Sequence, residues 1–256
     1  MKRLFKGETD PGLVRSVNQD AYFTDPDGRF FIVADGMGGH AGGQEASRIA
    51  IDSMRLFLEQ QWNSDLDSDA LLKQAFSEAN QAILKDQRIH PERADMGTTA
   101  VAMIFRDGDQ PMCAHVGDSR LYRLRGSKLD QITEDHTWVA RAMRSGEMTP
   151  DQARIHPMRH VLVQCLGRSD DLEMIEVQSF EVQQGDRLLL CSDGLTEELS
   201  DQIIANHLKR IRACDKAATQ LIEAAKSQGG RDNITVVIVA IIAERNSEGI
   251  ASHELF

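Results

Sequence analysis

The 256-residue chain is predicted to adopt an α+β fold in which antiparallel sheets are covered by helices. Three observations lead there. Segments with helical spacing come in pairs between blocks of short strand-like segments, which places helices over sheets. The strand candidates follow one another through connections too short for a parallel crossover. Hydrophobic residues make up 41% and charged residues 27%, as in ordinary soluble globular proteins, and the length suffices for one sizeable core.

The elements follow in order. LVRSVNQDAYF (13–23) reads as the strand partner of the apolar run FFIVA (30–34). FFIVA leads into DGMGGHAGG (35–43), where Asp35 is followed by five glycines and His40 within eight residues. Glycine serves where backbone must turn tightly or approach something closely. QEASRIAIDSMRLFLEQQ (44–61) puts Ala46, Ile49, Ala50, Met54, Phe57 and Leu58 near one helical face. The polar loop NSDLDSD (63–69) starts a second helix, 70–88, with Leu72, Ala75, Phe76, Ala79 and Ile83 at spacings of three and four. TTAVAMIF (98–105), PMCAHVG (111–117) and SRLYRLRG (119–126) read as strands separated by turn chemistry such as RDGDQ. Residues 135–168 are polar and helix-leaning and carry Arg141, Arg144, Arg154, Arg159 and Arg168. A strand RLLLCS (187–192), helices around 198–208 and 214–227, and a last strand ITVVIVAII (234–242) complete the pattern. The polar end ERNSEGIASHELF (244–256) reads as a frayed tail.

Composition excludes several classes. The net charge of −11, from 29 basic and 40 acidic residues, argues against a nucleic-acid backbone or an anionic membrane as partner. Cys113, Cys165, Cys191 and Cys214 lie far apart with no Cys-x-x-Cys pair, so zinc and redox spacing are absent. Cys113 and Cys191, inside apolar runs, read as small core residues, and the set fits a reducing cytosol. MKRLFKGETDPG has no apolar stretch behind its charges and does not read as a signal peptide. No 18-residue apolar run occurs, so no membrane span is expected and a cytoplasmic location is.

Acids end the apolar runs. FFIVA meets Asp35-Gly36, CAHVG meets Asp118-Ser119, RLLLCS meets Asp193-Gly194, and Asp232-Asn233 precedes the last strand. Arg15 is followed by Asn18-Gln19-Asp20. Each Asp-Gly alone is an ordinary turn dipeptide. Carboxylates brought together repel and raise one another's pKa, a penalty that a bound divalent cation removes. Carboxylate, carbonyl and water oxygens suit Mg²⁺ or Mn²⁺, and the residues between the acids supply no softer set.

VRSVNQD, VADGMGGH, MGTTAV, HVGDSRLYR, LCSDGL and GGRDNITVV, in this order, resemble the motif series of the PPM/PP2C family of metal-dependent protein serine/threonine phosphatases. The likeness runs over roughly residues 5–242. DHTW and RHVLVQCLGR further resemble cyanobacterial members, including those acting on the PII signalling protein. The resemblance implies a four-layer α-β-β-α sandwich in a single domain, 1–243, with a flap at about 137–167 and the tail 244–256 outside it.

It also implies roles. Asp35 matches the carboxylate that bridges two metal ions, Gly36 the backbone-carbonyl ligand, and Asp193 and Asp232 the acids that complete the pair. Asp20 matches an acid that holds metal-bound water, and Asp118 the position that helps bind a third, looser ion. Arg15 matches the arginine that grips substrate phosphate, where a planar fork suits two oxygens at once. Eukaryotic members carry histidine directly after the Asp-Gly step, where this chain has Met37; His40, three positions later, is the candidate leaving-group acid. Arg159 and His160, in the flap, are candidate contacts to substrate, while His115 reads as a sheet residue. The implied cofactors are Mn²⁺ or Mg²⁺, two held tightly, and the implied reaction is attack of a metal-bridged hydroxide on phosphoserine or phosphothreonine. No serine or cysteine sits in the setting of an activated nucleophile. The implied partners are phosphoproteins, PII among them, acted on by a monomer. Two alternatives stand beside this reading. A catalytically inactive adaptor would lack metal acids, yet Asp20, Asp35, Asp118, Asp193 and Asp232 are all present. A metal-dependent hydrolase of nucleic acid conflicts with the charge and the lack of aromatic-basic interleaving.

Overall fold

A computed structural model describes residues 1–39, 42–106, 108, 110–168 and 175–243. Its strands are β1 (Lys2–Asp10), β2 (Asp20–Thr24), β3 (Phe30–Met37), β4 (Gly97–Thr98), β5 (Ala100–Ile104), β6 (Met112–Val116), β7 (Arg120–Arg125), β8 (Lys128–Gln131), β9 (Val177–Ser179), β10 (Arg187–Cys191) and β11 (Ile234–Ile242). Its helices are α1 (Gly42–Gln61), α2 (Ser68–Ile89), α3 (Trp138–Arg144), α4 (Pro150–Ile155), α5 (Asp193–Thr196), α6 (Asp201–Arg210) and α7 (Cys214–Gln228).

Two antiparallel sheets form, one ordered β1-β11-β10-β7-β8 and the other β2-β3-β5-β6-β9, with β4 attached to β3. The alternation of side chains along each strand builds three apolar layers. On β3, Phe30, Ile32 and Ala34 pack with Leu58, Leu72 and Phe76 of α1 and α2, whereas Phe31 and Val33 point between the sheets. On β11, Val237, Val239 and Ile241 fill that same inter-sheet layer, while Ile234, Val236 and Ile238 meet Leu208, Leu221 and Ile222 of α6 and α7. The order is therefore helix, sheet, sheet, helix, the expected four layers. Each of the Val, Leu, Ile and Phe side chains among them, fully buried, contributes about 1.5–3 kcal/mol of transfer free energy.

Several boundaries differ from those read in the sequence. Of 13–23 only residues 20–23 are strand, within β2 (Asp20–Thr24). The run 98–105 is broken at Thr99, because Thr99 Oγ1 accepts from Asp35 N (3.0 Å) while its own N–H donates to Asp35 O (2.8 Å). A helical turn, α5, starts directly at Asp193, and the helix expected around 198–208 begins at Asp201. β1, β8 and β9 were not anticipated; all three are sheet-edge strands with polar, partly exposed side chains. The tail 244–256 and His40 lie outside the described residues.

The arginine-bearing segment folds as two short capped helices on a clasped base. Thr137 caps α3, and Thr149 with Gln152 forms a capping box on α4. Trp138 N donates to Val161 O (2.8 Å) and Val163 N to His136 O (2.9 Å), so the two ends of the segment are tied together.

Candidate active site

The sheet topology brings the scattered acids to one edge of the sandwich. Asp35 sits near the end of β3 with Asp20 directly opposite it in register on β2. Asp118 follows β6, Asp193 follows β10, and Asp232 precedes β11. Asp35, Gly36, Asp118, Asp193 and Asp232 line one cavity of about 650 Å³, together with Arg15 and His160. Asp20 stands behind it: its Oδ2 accepts from Ser192 Oγ (2.7 Å), next to Asp193. Arg159 does not line this cavity but an adjoining one, which His160 and Asp193 share.

Close backbone packing sets this geometry. A Cβ on Gly36 would lie 1.9 Å from Gly43 O, and one on Gly194 would lie 2.0 Å from Asn233 O. Both positions need glycine for close approach, since real Cβ atoms do not come so near to backbone. Asn233 ties the loops: its Oδ1 accepts from Gln19 N (2.8 Å), and its Nδ2 donates to Pro11 O and Val17 O (3.0 Å each). Thr98 Oγ1 donates to Asp35 O (2.8 Å), and Thr99 Oγ1 pairs with Ser119 Oγ (2.7 Å), linking the Asp35 strand to the residue after Asp118.

The electrostatics follow from burial and crowding. Burial pushes the Asp20 carboxyl up to about 7; the Ser192 and Thr235 hydroxyls pull it down, and Asp193 and Asp232 raise it further. Asp35 is raised well above the carboxylate range, first by burial and then by repulsion from Asp20, Asp193, Asp118 and Asp232. Burial, then Asp193, raises Asp118 in the same way. Burial and Asp232 raise Asp193, which a hydrogen bond with Asp35 offsets in part. Among the described residues, one cation bonds to this set: Arg15 Nη2 meets Asp232 Oδ2 at 2.7 Å. Asp20 Oδ1 is buried with no hydrogen-bond partner among the described residues. A buried, unmatched carboxylate oxygen is costly. Crowded carboxylates with an orphaned oxygen fit hard divalent cations, which neutralise the charge and take oxygen ligands.

One imidazole, that of His160, reaches the carboxylates. His160 Nδ1 contacts Glu197 Oε1, and ligand atoms of His160, Asp193 and Glu197 lie within 4.8 Å of one another. Burial, then Asp193 and Asp232, raises Glu197 to about 7. Sequence reasoning missed Glu197, which in SDGLTEELS reads as an ordinary helical acid. It also missed Asn233 and Ser192, whose only signal is to sit beside the acids Asp232 and Asp193. His115 is buried on β6 and stacks on His136 with ring centroids 4.4 Å apart, as a sheet residue.

Comparison with known proteins shows which chains this one is similar to. A family model described as Protein phosphatase 2C matches residues 14–234. The serine/threonine protein phosphatase PstP of Mycobacterium tuberculosis is 37% identical over 238 residues, which cover 93% of this chain and 45% of that protein. The chain thus spans less than half the length of that relative. The serine/threonine phosphatase stp of Listeria welshimeri is 38% identical over 249 residues, covering 93% of this chain and 94% of that protein. A crystal structure of the catalytic domain of PstP in complex with two manganese ions matches with a TM-score of 0.83 at 34% identity, over 94% of this chain and 99% of that one.

Proposed function

Because the chain belongs to the protein phosphatase 2C family, we propose that it hydrolyses phosphoserine and phosphothreonine monoesters on proteins. The observation that carries this is the meeting of Asp35, Asp118, Asp193 and Asp232 in one cavity with Arg15. In this reading Asp35, the Gly36 carbonyl, Asp193 and Asp232 hold two Mn²⁺ or Mg²⁺ ions, and Asp118 helps hold a third, looser one. When bound, such ions make water available as a nucleophile near neutral pH and steady the charge of an in-line displacement.

The chain's own residues supply the rest. Arg15 is half exposed at the cavity wall, and its partner Asp232 is the only acid it bonds among the described residues. Asp232 would be a ligand to the metal, and the Arg15 fork would take two phosphate oxygens. Asp20 acts from behind, through the Ser192 hydroxyl, on the loop that presents Asp193. His40 is assigned the proton delivered to the departing serine or threonine oxygen. His160 and Arg159 are assigned to the protein part of the substrate. The motifs DHTW and RHVLVQCLGR make the phosphorylated PII protein the first substrate to try. The working unit is taken as a cytoplasmic monomer with its catalytic domain in residues 1–243. Among the described residues no helix is long and apolar enough to cross a membrane.

The test is turnover of a phosphothreonine peptide and of phosphorylated PII with Mn²⁺, with and without EDTA. Mn²⁺-dependent release of phosphate is expected from both. Full turnover after all metal is stripped, or none with metal present, would overturn the assignment; turnover of the peptide alone would remove PII.

A further inference from the structure

Beside the catalytic cavity lies a second one, of about 780 Å³, between α3 and α4 on one side and residues 196–203 on the other. Asp118, His160 and Asp193 line both, so the two spaces join at the acidic centre. Cavities of this size accommodate several side chains or a small ligand.

Most charges along the second cavity are already matched. Arg120 pairs with Asp135 through two bonds (2.8 and 2.7 Å), and Arg231 with Glu198 through two (2.9 and 3.1 Å). Glu197 meets His160, and Asp201 accepts from the Tyr122 hydroxyl (3.2 Å). Arg154 and Arg159 differ. Both are exposed, and neither guanidinium has an ion pair or hydrogen bond among the described residues, although Arg159 lies near enough to Glu197 to stabilise its charge. The same cavity wall also carries apolar side chains. Met143 and Ile203 keep 36% and 38% of their surface exposed. An exposed apolar surface beside unbonded guanidinium groups suits a ligand that brings an acidic and a large apolar side chain together.

We propose that this cavity is the docking groove for the stretch of phosphoprotein flanking the phosphorylated residue, and that it favours a segment carrying an acidic residue next to a large apolar one. Two things argue for that occupant: the groove joins, through Asp118 and Asp193, the centre where the phosphate is placed, and apart from those two acids its unpaired charges are the guanidinium groups of Arg154 and Arg159, on a wall that also exposes Met143 and Ile203. The proposal deepens the phosphatase reading and rests on it for the position of the phosphate.

The experiment uses the full chain with Mn²⁺ and labelled phosphothreonine peptides in which a phosphonate replaces the ester, so binding is read without turnover. Asp-Leu, Lys-Leu and Lys-Ser pairs are placed before or after the phosphonate residue, and affinity is followed by fluorescence anisotropy. Asp-Leu peptides are expected to bind about tenfold more tightly than Lys-Ser peptides in at least one of the two orders. Arg154→Glu should weaken the Asp-Leu peptide about tenfold and strengthen the Lys-Leu peptide; an unchanged melting temperature verifies the fold. Equal affinity for all flanks, or a preference untouched by Arg154→Glu, overturns the groove. Turnover of a small aryl phosphate, too short to reach the groove, is measured separately. Its absence with Mn²⁺ would count against the phosphatase reading, while the flank preference is still decided by binding.

Discussion

Asp20 shows what the acidic centre costs when no cation is bound. Its carboxyl titrates near 7 in the folded chain, against an ordinary 3.8, with burial as the main cause. Between those values the native state holds a proton that the unfolded chain has released. Stability of the metal-free protein is therefore fully present below about pH 4 as far as this group is concerned, and is lost as pH rises through 7. Asp35, Asp118 and Asp193 shift in the same direction and add to the slope. A loss on the order of a few kcal/mol is expected between pH 4 and pH 8 in EDTA, read from urea unfolding at a series of pH values. A stability that stays level or climbs over that range would contradict the crowding of carboxylates. The same reasoning makes Asp35→Asn a stabilising change in EDTA, because it removes a buried charge that four neighbours oppose. With Mn²⁺ present it should instead abolish most turnover, and the two effects of opposite sign separate a ligand role from a packing role.

At the scale of elements, the loops that present the acids depend on Asn233 more than on any helix. Its side chain makes three hydrogen bonds that join residues 11, 17 and 19 to the start of β11. Asn233→Ala leaves those backbone groups without partners and should cost about 2–4 kcal/mol. Denaturant unfolding measures that cost, and a change under about 0.5 kcal/mol would deny the tie. The flap makes a different prediction. Its base is clasped by backbone bonds, but Arg159 and His160 reach out at the cavity mouth. Alanine at both positions should depress phosphoprotein turnover about tenfold or more while a small aryl phosphate is affected far less; equal losses would remove the flap from substrate contact. These differences track what sequence can disclose. β3 and β11 were legible because burial on both faces leaves uninterrupted apolar runs, FFIVA and ITVVIVAII. β1 and β8 were not, since an edge strand keeps charged residues along an open side and resembles a loop, and β9 is only three residues, Val-Gln-Ser, too short to show a strand pattern. The acids were legible because each ends or opens an apolar run. Asn233 and Glu197 were not, since their partners, Gln19 and His160, come from distant parts of the chain and are fixed only by the fold.

For the whole molecule, the decisive fact is that the acids come from both sheets. Asp20 and Asp35 belong to the sheet under α1 and α2, Asp193 and Asp232 flank strands of the sheet under α6 and α7, and Asp118 sits in the connection from one sheet to the other. Three of the side chains that meet at the shared edge, Asp35, Asp118 and Asp193, resist ionising together. A divalent cation held between the two groups adds a link between sheets that already share an apolar layer and polar ties such as Ser192 Oγ to Asp20 Oδ2, and it also offsets part of a net charge of −11. Binding to the native state alone stabilises by about 2.7 kcal/mol at a hundredfold excess over Kd. For a chain of this length that corresponds to a rise in Tm of about 5–11 °C. Thermal unfolding in Mn²⁺ against EDTA measures it, with Asp35→Asn and Asp193→Asn as variants that draw on opposite sheets. Each should lose most of the rise, since a cation spanning the gap needs ligands from both sides. If either variant kept the full rise, the ions would be binding to one sheet alone, and the joining of the two halves through metal would have to be given up.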